Sequence, residues 1–380
     1  MSKSKFKIFN GYIEGYYGKL LNWAQRKRIL TQLNKFSFSN YFYCPKEDVN
    51  HRFDWRLIYG KNWRRSFQNF CKSANNYDIN VIVGISPGVD YQFANDEDDF
   101  NFLMNKAKQL IEDGADNITL MFDDIPNDFY NIYSDNLKEG TTHARLANLM
   151  FENLKRPILV IPRIYADELI EDSLDYLTDF CNELNPMIPI FYCGKNIVSD
   201  HLIVNKLGIL PALTKNNIIF WDNIYANDYC PRKIFLGPLK NRNFSLNIMF
   251  NLTGMIETDL FLIAIYGNSK TNNNFLEVWL KVLKIFKIPN EFLKVESFFT
   301  PLNNLNSKLN LNSFILLEQI IALDHLLWSW KTPLAREWYP FLFGLKHDLQ
   351  FLNNDLSKNR IKKVFPIPLN NIIIKNNWRE

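Results

Sequence analysis

Ile118-Thr119-Leu120-Met121-Phe122, running straight into Asp123-Asp124-Ile125-Pro126, is the stretch on which the fold turns. Apolar and β-favouring residues lead into an acidic dipeptide and then a proline, the pattern of a strand that stops at a turn. The stretch reads as a strand over 118–123, and similar runs flank it on both sides. Upstream they lie at 6–13, 40–44 and 80–85; downstream they lie at 158–162, 188–192, 218–222 and 246–251. Helical patterns fill the gaps, as at 23–36, where Ile29, Leu30 and Leu33 recur at helical spacing. Eight such strand–helix units within about 265 residues predict an α/β chain folded as a (β/α)8 TIM-like barrel. The competing doubly wound sheet calls for a GxGxxG after its first strand, and this chain has none there.

Past roughly residue 270 the character changes. The polar run Thr271-Asn272-Asn273-Asn274 marks a break, and helical patterns follow at 275–286, 314–330 and 334–352. Residues 301–312, rich in Asn and Leu, read as a loop. The chain therefore divides into a barrel over 1–268 and a C-terminal helical bundle or appendage over 269–380. The enrichment in Asn and Lys carries no structural reading.

Composition narrows the function classes. The 380 residues are 47% hydrophobic and 22% charged, which fits a globular protein and excludes wholesale disorder. Lys plus Arg number 44 against 40 Asp plus Glu, so the net charge of +4 is too weak an excess to point to a nucleic-acid partner. The 5 cysteines are an odd number, scattered and without CxxC spacing, which speaks against a disulfide framework and a structural zinc site. The N-terminal lysines precede no apolar signal region, and no run of about 20 apolar residues exists, so no membrane association is expected and the location expected is cytoplasmic.

In a barrel, chemistry sits at the carboxyl ends of the strands, on the loops that follow them. Strand alternation would send Asp123 and Asp124 to opposite faces, but at a strand end before a proline both can turn toward the mouth. Two carboxylates there repel, so one pKa is expected to rise and supply a general acid. A solvated Asp-Asp turn capping the next helix is the plainer alternative. Strand seven ends in Trp221-Asp222-Asn223 and leads to Asp228, an indole face with amide and carboxylate groups that suits a sugar. Strand one ends at Glu14-Gly15, where glycine permits close approach of a ligand to the backbone. Strand two leads to Lys46, strand five to Tyr165 and strand eight to Asn251. Each signal is weak alone, and their convergence on one mouth is much stronger.

These same residues carry a resemblance. Gly11-Tyr-Ile-Glu-Gly15-Tyr-Tyr-Gly18, Tyr43-Cys-Pro-Lys46-Glu-Asp48 with His51-Arg52-Phe-Asp-Trp55-Arg56, Ile85-Ser-Pro-Gly-Val-Asp90, Phe122-Asp123-Asp124-Ile125 and Trp221-Asp-Asn223-Ile-Tyr-Ala-Asn227-Asp228-Tyr229 occur in order. Together with Phe235-Leu-Gly-Pro-Leu-Lys240 they resemble glycoside hydrolase family 84, the O-GlcNAcase and hyaluronidase-like β-N-acetylglucosaminidases. The resemblance covers about residues 7–265. It implies retaining hydrolysis of terminal β-linked GlcNAc, in which the substrate's own acetamido oxygen attacks the anomeric carbon to give an oxazoline. Asp123 would orient the acetamido N–H, and Asp124 would protonate the leaving oxygen and then activate water. Tyr165 would hydrogen-bond the acetamido oxygen, Asn223 would hold the acetamido region and Asp123, and Trp221 would wall the N-acyl pocket. Asp228, Asn251, Lys46 and the Gly15 backbone would hold the other sugar hydroxyls.

The resemblance implies no metal and no cofactor, and a GlcNAc-bearing glycan or glycoprotein as the partner. The later helices resemble in character the helical domain that follows this family's barrel, and they offer a surface for a homodimer. A glycan-binding barrel that has lost its chemistry is the alternative; the adjacent acid pair favours the enzyme, because binding alone does not demand it. Elsewhere the plain readings lead. His51 is expected to make structural hydrogen bonds, and Cys44 to be buried rather than nucleophilic. Trp328, Trp330 and Trp338 are expected in a core or subunit contact, and Arg360, Lys362 and Lys363 on a solvated surface.

Overall fold

The computed structural model describes residues 8–133, 137–301, 313–353 and 355–364. Eight parallel strands close into a barrel, each paired with the next in chain order and the last with the first. They are β1 (Asn10–Glu14), β2 (Asn40–Tyr43), β3 (Asn80–Ile85), β4 (Asn117–Met121), β5 (Ile158–Ile161), β6 (Ile190–Tyr192), β7 (Ile218–Asp222) and β8 (Ile248–Asn251). This is the architecture the strand–helix period predicts. The ladder of β4 stops at Met121, earlier than the apolar run implies, because Phe122 already leaves the strand after one last bond to the Ile161 carbonyl at 2.9 Å.

The barrel interior is a single apolar cluster made of alternate strand residues. Ile13, Phe42, Cys44, Ile82, Met121, Leu159, Ile161, Phe191, Cys193, Ile219, Trp221 and Met249 all belong to it. Side chains alternate across a strand, so the intervening residues face the helices instead. The buried Tyr12, Tyr41 and Val81 are of that second kind. The first helix, Trp23–Lys35, begins with a reciprocal cap in which the Asn22 side chain accepts from the Gln25 amide and the Gln25 side chain accepts from the Asn22 amide, each at 2.9 Å. It buries Arg26, Ile29, Leu30 and Leu33 against the sheet.

Asparagines at the amino ends of the strands tie the barrel floor together, a use that bulk composition does not show. Asn40 donates to the Asn10 carbonyl at 3.1 Å, Asn80 to the Asn40 side chain at 3.3 Å, and Asn247 to the Asn217 side chain at 2.8 Å. These bonds satisfy polar groups at the end of the barrel opposite the mouth.

The described chain forms two compact units, one of residues 1–229 with 239–275, the other of 230–238 with 276–380. The second is helical: Phe275–Ile285 continues into it, followed by Ser313–Trp328, Pro333–Leu352 and Lys358–Val364. Trp279 and Trp338 are fully buried there and Trp330 nearly so, while Trp328 is 54% exposed. Arg360, Lys362 and Lys363 lie on the exposed face of the last helix. All but the first residue of the stretch read as a loop at 301–312 falls outside the described residues. No helix among the described residues is long and apolar enough to cross a membrane.

Glu14, the last residue of β1, turns outward and is fully buried, where Arg26 grips both its oxygens at 2.8 and 2.9 Å and Tyr41 donates a third bond at 2.6 Å. Breaking one side of such a pair leaves a buried charge uncompensated. Arg26→Ala is expected to cost about 3–5 kcal/mol of stability, read from urea unfolding. A loss below about 1 kcal/mol, the range of exposed ion pairs, would contradict this placement.

Candidate active site

The interior alternation runs on past the strand ends and builds the mouth. Two residues beyond Met121 comes Asp123; two beyond Cys44 comes Lys46; two beyond Trp221 comes Asn223; two beyond Met249 comes Asn251; and two beyond Ile13 comes Gly15. Asp124 would by the same rule face away. It does not, because its backbone adopts φ 55°, in the left-handed region. That conformation costs a non-glycine residue about 1–3 kcal/mol, with Asp and Asn among those that tolerate it best. The turn brings the second carboxylate back to the first.

Lys46 holds the two together. Its ammonium is buried, donates to Asp123 Oδ2, and stands 3.5 Å from Asp124 Oδ2. Burial would strip a lysine of its proton, but the two aspartates hold this one charged, well above its usual pKa. At Asp124, burial pushes the carboxyl up, yet the Lys46 charge, the hydroxyls of Tyr165 and Tyr17 and the Arg52 charge outweigh it, and the group lies below the usual carboxylate range. The Tyr165 hydroxyl donates to Oδ1 at 2.7 Å and that of Tyr17 to Oδ2 at 2.8 Å. The rise expected from mutual repulsion is therefore not found at Asp124: the Lys46 cation, two tyrosine hydroxyls and the Arg52 charge override it. Burial pushes the Tyr17 phenol up to about 12 and that of Tyr165 higher still, so both remain protonated donors. Asp123 Oδ1 is buried and has no hydrogen-bond partner among the described residues.

Opposite lies an amide and indole wall. The Trp221 indole N–H donates to Asn223 Oδ1 at 2.8 Å, the Asn251 amide donates to the same oxygen at 3.0 Å, and Asn251 Oδ1 accepts from the Gly15 N–H at 3.2 Å. Gly15 has no room for a side chain, since a Cβ there would come within 2.5 Å of the Trp221 ring. The amide of Asn223 goes to the Ile197 carbonyl at 3.0 Å and the Cys193 sulfur at 3.7 Å, not to Asp123 as the resemblance implies. Asp228 is partly exposed and accepts from the Tyr17 N–H at 2.9 Å. The nine predicted site residues thus form two connected groups: Asp123, Asp124, Lys46 and Tyr165 in one, Gly15, Trp221, Asn223 and Asn251 in the other, with Asp228 joined to the first through Tyr17.

Other residues sort themselves differently. Asp222 faces outward and is buried in bonds to Arg242 and, at 2.8 Å, the Tyr266 hydroxyl, so it supplies nothing to a sugar. His51 Nδ1 sits 2.9 Å from the Gly84 carbonyl, and burial followed by the Lys46 charge pushes its pKa down to about 3. Cys44 is buried in the barrel cluster. Tyr17 and Arg52 are at the mouth without having been singled out; for Tyr17 the interior period from Ile13 through Gly15 is the signal, and for Arg52 no sequence period exists.

Paired carboxylates at the mouth of a (β/α)8 barrel are an arrangement that suits acid–base work on a sugar. The sequence gives the family: residues 10–278 match the family described as NAGidase, beta-N-acetylglucosaminidase, and the chain belongs to it, that is, to glycoside hydrolase family 84. Among its relatives, the protein O-GlcNAcases of Rattus norvegicus and Mus musculus are each 30% identical over 243 residues, which is 62% of this chain and only 26% of theirs. A solved structure of a mutant O-GlcNAc hydrolase from Thermobaculum terrenum is similar in fold, with a TM-score of 0.78 at 20% identity over 97% of this chain and 88% of that one.

Because the Asp124 carboxyl lies below its usual range when folded, the stability it contributes is complete at neutral pH and lost as pH falls below about 4. Removing the cation in Lys46→Met is expected to move the Asp124 titration to higher pH, followed by the carboxyl carbon resonance of labelled aspartate. An unchanged midpoint would show that Lys46 does not hold the pair.

Proposed function

We propose that the chain removes terminal β-linked GlcNAc with retention, through an oxazoline formed by the substrate's acetamido group. The observation that carries this reading is the unpartnered Oδ1 of Asp123 beside an Oδ2 already held by Lys46. A buried acceptor left without a donor is costly, and an acetamido N–H is the donor that would satisfy it. Oriented so, the acetamido oxygen attacks the anomeric carbon while Asp124 gives a proton to the leaving oxygen. Asp124 then takes a proton from the water that opens the oxazoline. The adjacency of the two aspartates supports the scheme, because a retaining enzyme with its own nucleophile sets the carboxyl groups about 5–5.5 Å apart across the sugar.

Tyr165 links binding to proton transfer. In the free site its hydroxyl serves Asp124; with substrate bound it would turn to the acetamido oxygen. Asp124 would lose one of the donors that hold its pKa down and become a better acid when acid is needed. Trp221, backed by Gly15, would limit the size of the N-acyl group, and Asp228, Asn251, Lys46 and the Gly15 backbone would serve the sugar hydroxyls. The partner we propose is a GlcNAc-bearing glycan or glycoprotein met in the cytoplasm, with no nucleic acid, and the helical unit is proposed as a homodimer surface.

Hydrolysis of para-nitrophenyl N-acetyl-β-glucosaminide by the wild type, lost in Asp123→Asn and in Asp124→Asn, is the expected result. Absence of turnover with tight binding of an oxazoline-like thiazoline would mean a binding barrel instead. A second outcome concerns pH. Activity falls as pH rises through the pKa of a group that must be protonated, so the alkaline limb of kcat is expected above that of kcat/KM, which reports the free enzyme. Coincident limbs would contradict the exchange of the Tyr165 bond.

A further inference from the structure

We propose that Arg52 is a positioning residue for Asp124, acting through its main chain and through Tyr17; this rests on the acid–base role proposed above. Arg52 closes the short helix Val49–Arg52 and is 8% exposed. One guanidinium nitrogen donates to the Asp124 carbonyl, and the other donates to the Tyr17 hydroxyl at 3.1 Å. The Tyr17 hydroxyl in turn donates to Asp124 Oδ2 at 2.8 Å. The three residues form a closed ring with Asp124 gripped at its backbone and at its carboxylate.

The ring answers a need visible in the backbone. Asp124 reaches the mouth only because of its left-handed turn at φ 55°, and a bond to its carbonyl fixes the peptide that follows that turn. None of the described ion pairs contains Arg52, although its guanidinium is largely buried. An arginine serving the scaffold alone would be expected to face a carboxylate of its own, as Arg26 faces Glu14. This one spends its charge on the acid–base aspartate's turn. The planar fork matters, because it reaches two acceptors at a fixed spacing that a lysine ammonium on a flexible stem cannot hold. Tyr17 extends the ring, since its N–H also holds Asp228.

The test compares kcat/KM on two aryl N-acetyl-β-glucosaminides, one with a good leaving group (dinitrophenyl) and one with a poor one (methoxyphenyl). Wild type, Asp124→Asn, Arg52→Gln, Arg52→Lys and Tyr17→Phe are measured on both. A misplaced acid costs most where the leaving group needs protonation, so Arg52→Gln is expected to lose about tenfold more on the poor leaving group than on the good one. Arg52→Lys should recover part of that difference, and Tyr17→Phe should show a smaller loss of the same kind. Equal losses on both substrates, or full activity of Arg52→Gln, would overturn the proposal. Should Arg52→Gln fail to fold, Tyr17→Phe decides, because Tyr17 is 43% exposed and its ring remains; equal losses there overturn it as well. If Asp124→Asn itself shows no dependence on leaving group, the acid–base reading fails instead, and the two failures are told apart.

Discussion

Two neighbouring carboxylates at the neck of a barrel repel one another, and this mouth depends on the cation that holds them together. Unit charges about 4 Å apart interact by about 4 kcal/mol where the effective dielectric is about 20, enough to shift a titration by several decades. Lys46 puts that attraction between Asp123 and Asp124, from a position that is itself buried. The tyrosine hydroxyls then finish the job on Asp124. The free site is thereby poised as an electrostatic trap and not as a ready acid. In the proposed reaction its acidity comes from what the substrate takes away, which would tie proton transfer to binding.

The barrel and most of the mouth were legible in the sequence for one reason. A strand's period of two does not stop at the last ladder bond, so the interior rows predict which loop residues reach the mouth. Asp123, Lys46, Asn223, Asn251 and Gly15 all follow from it. The same period assigns Asp222 and Glu14 to the outer face, where they pair with Arg242 and Arg26. Composition misled on the asparagines, whose meaning lies in their place at the strand starts.

What the sequence hid was tertiary. No local pattern announces the left-handed turn at Asp124, which breaks the alternation, nor the Arg52 guanidinium arriving from the end of the short helix Val49–Arg52. The direction of the Asp124 pKa was hidden too, since repulsion within a dipeptide is visible in sequence and a buried lysine pointing at it is not. Asn223 turning away from Asp123 toward Ile197 and Cys193 is a contact of the same kind, set by the neighbouring loop.

In the proposed reaction the sugar's own acetamido group does the work of a nucleophile beside an adjacent acid pair. The most direct measurement is the configuration of the first sugar released, followed by proton NMR of the anomeric signal before mutarotation. Retention, with the β-anomer of GlcNAc appearing first, is what the arrangement of Asp123 and Asp124 predicts. The α-anomer appearing first would mean direct attack by water, and would contradict it.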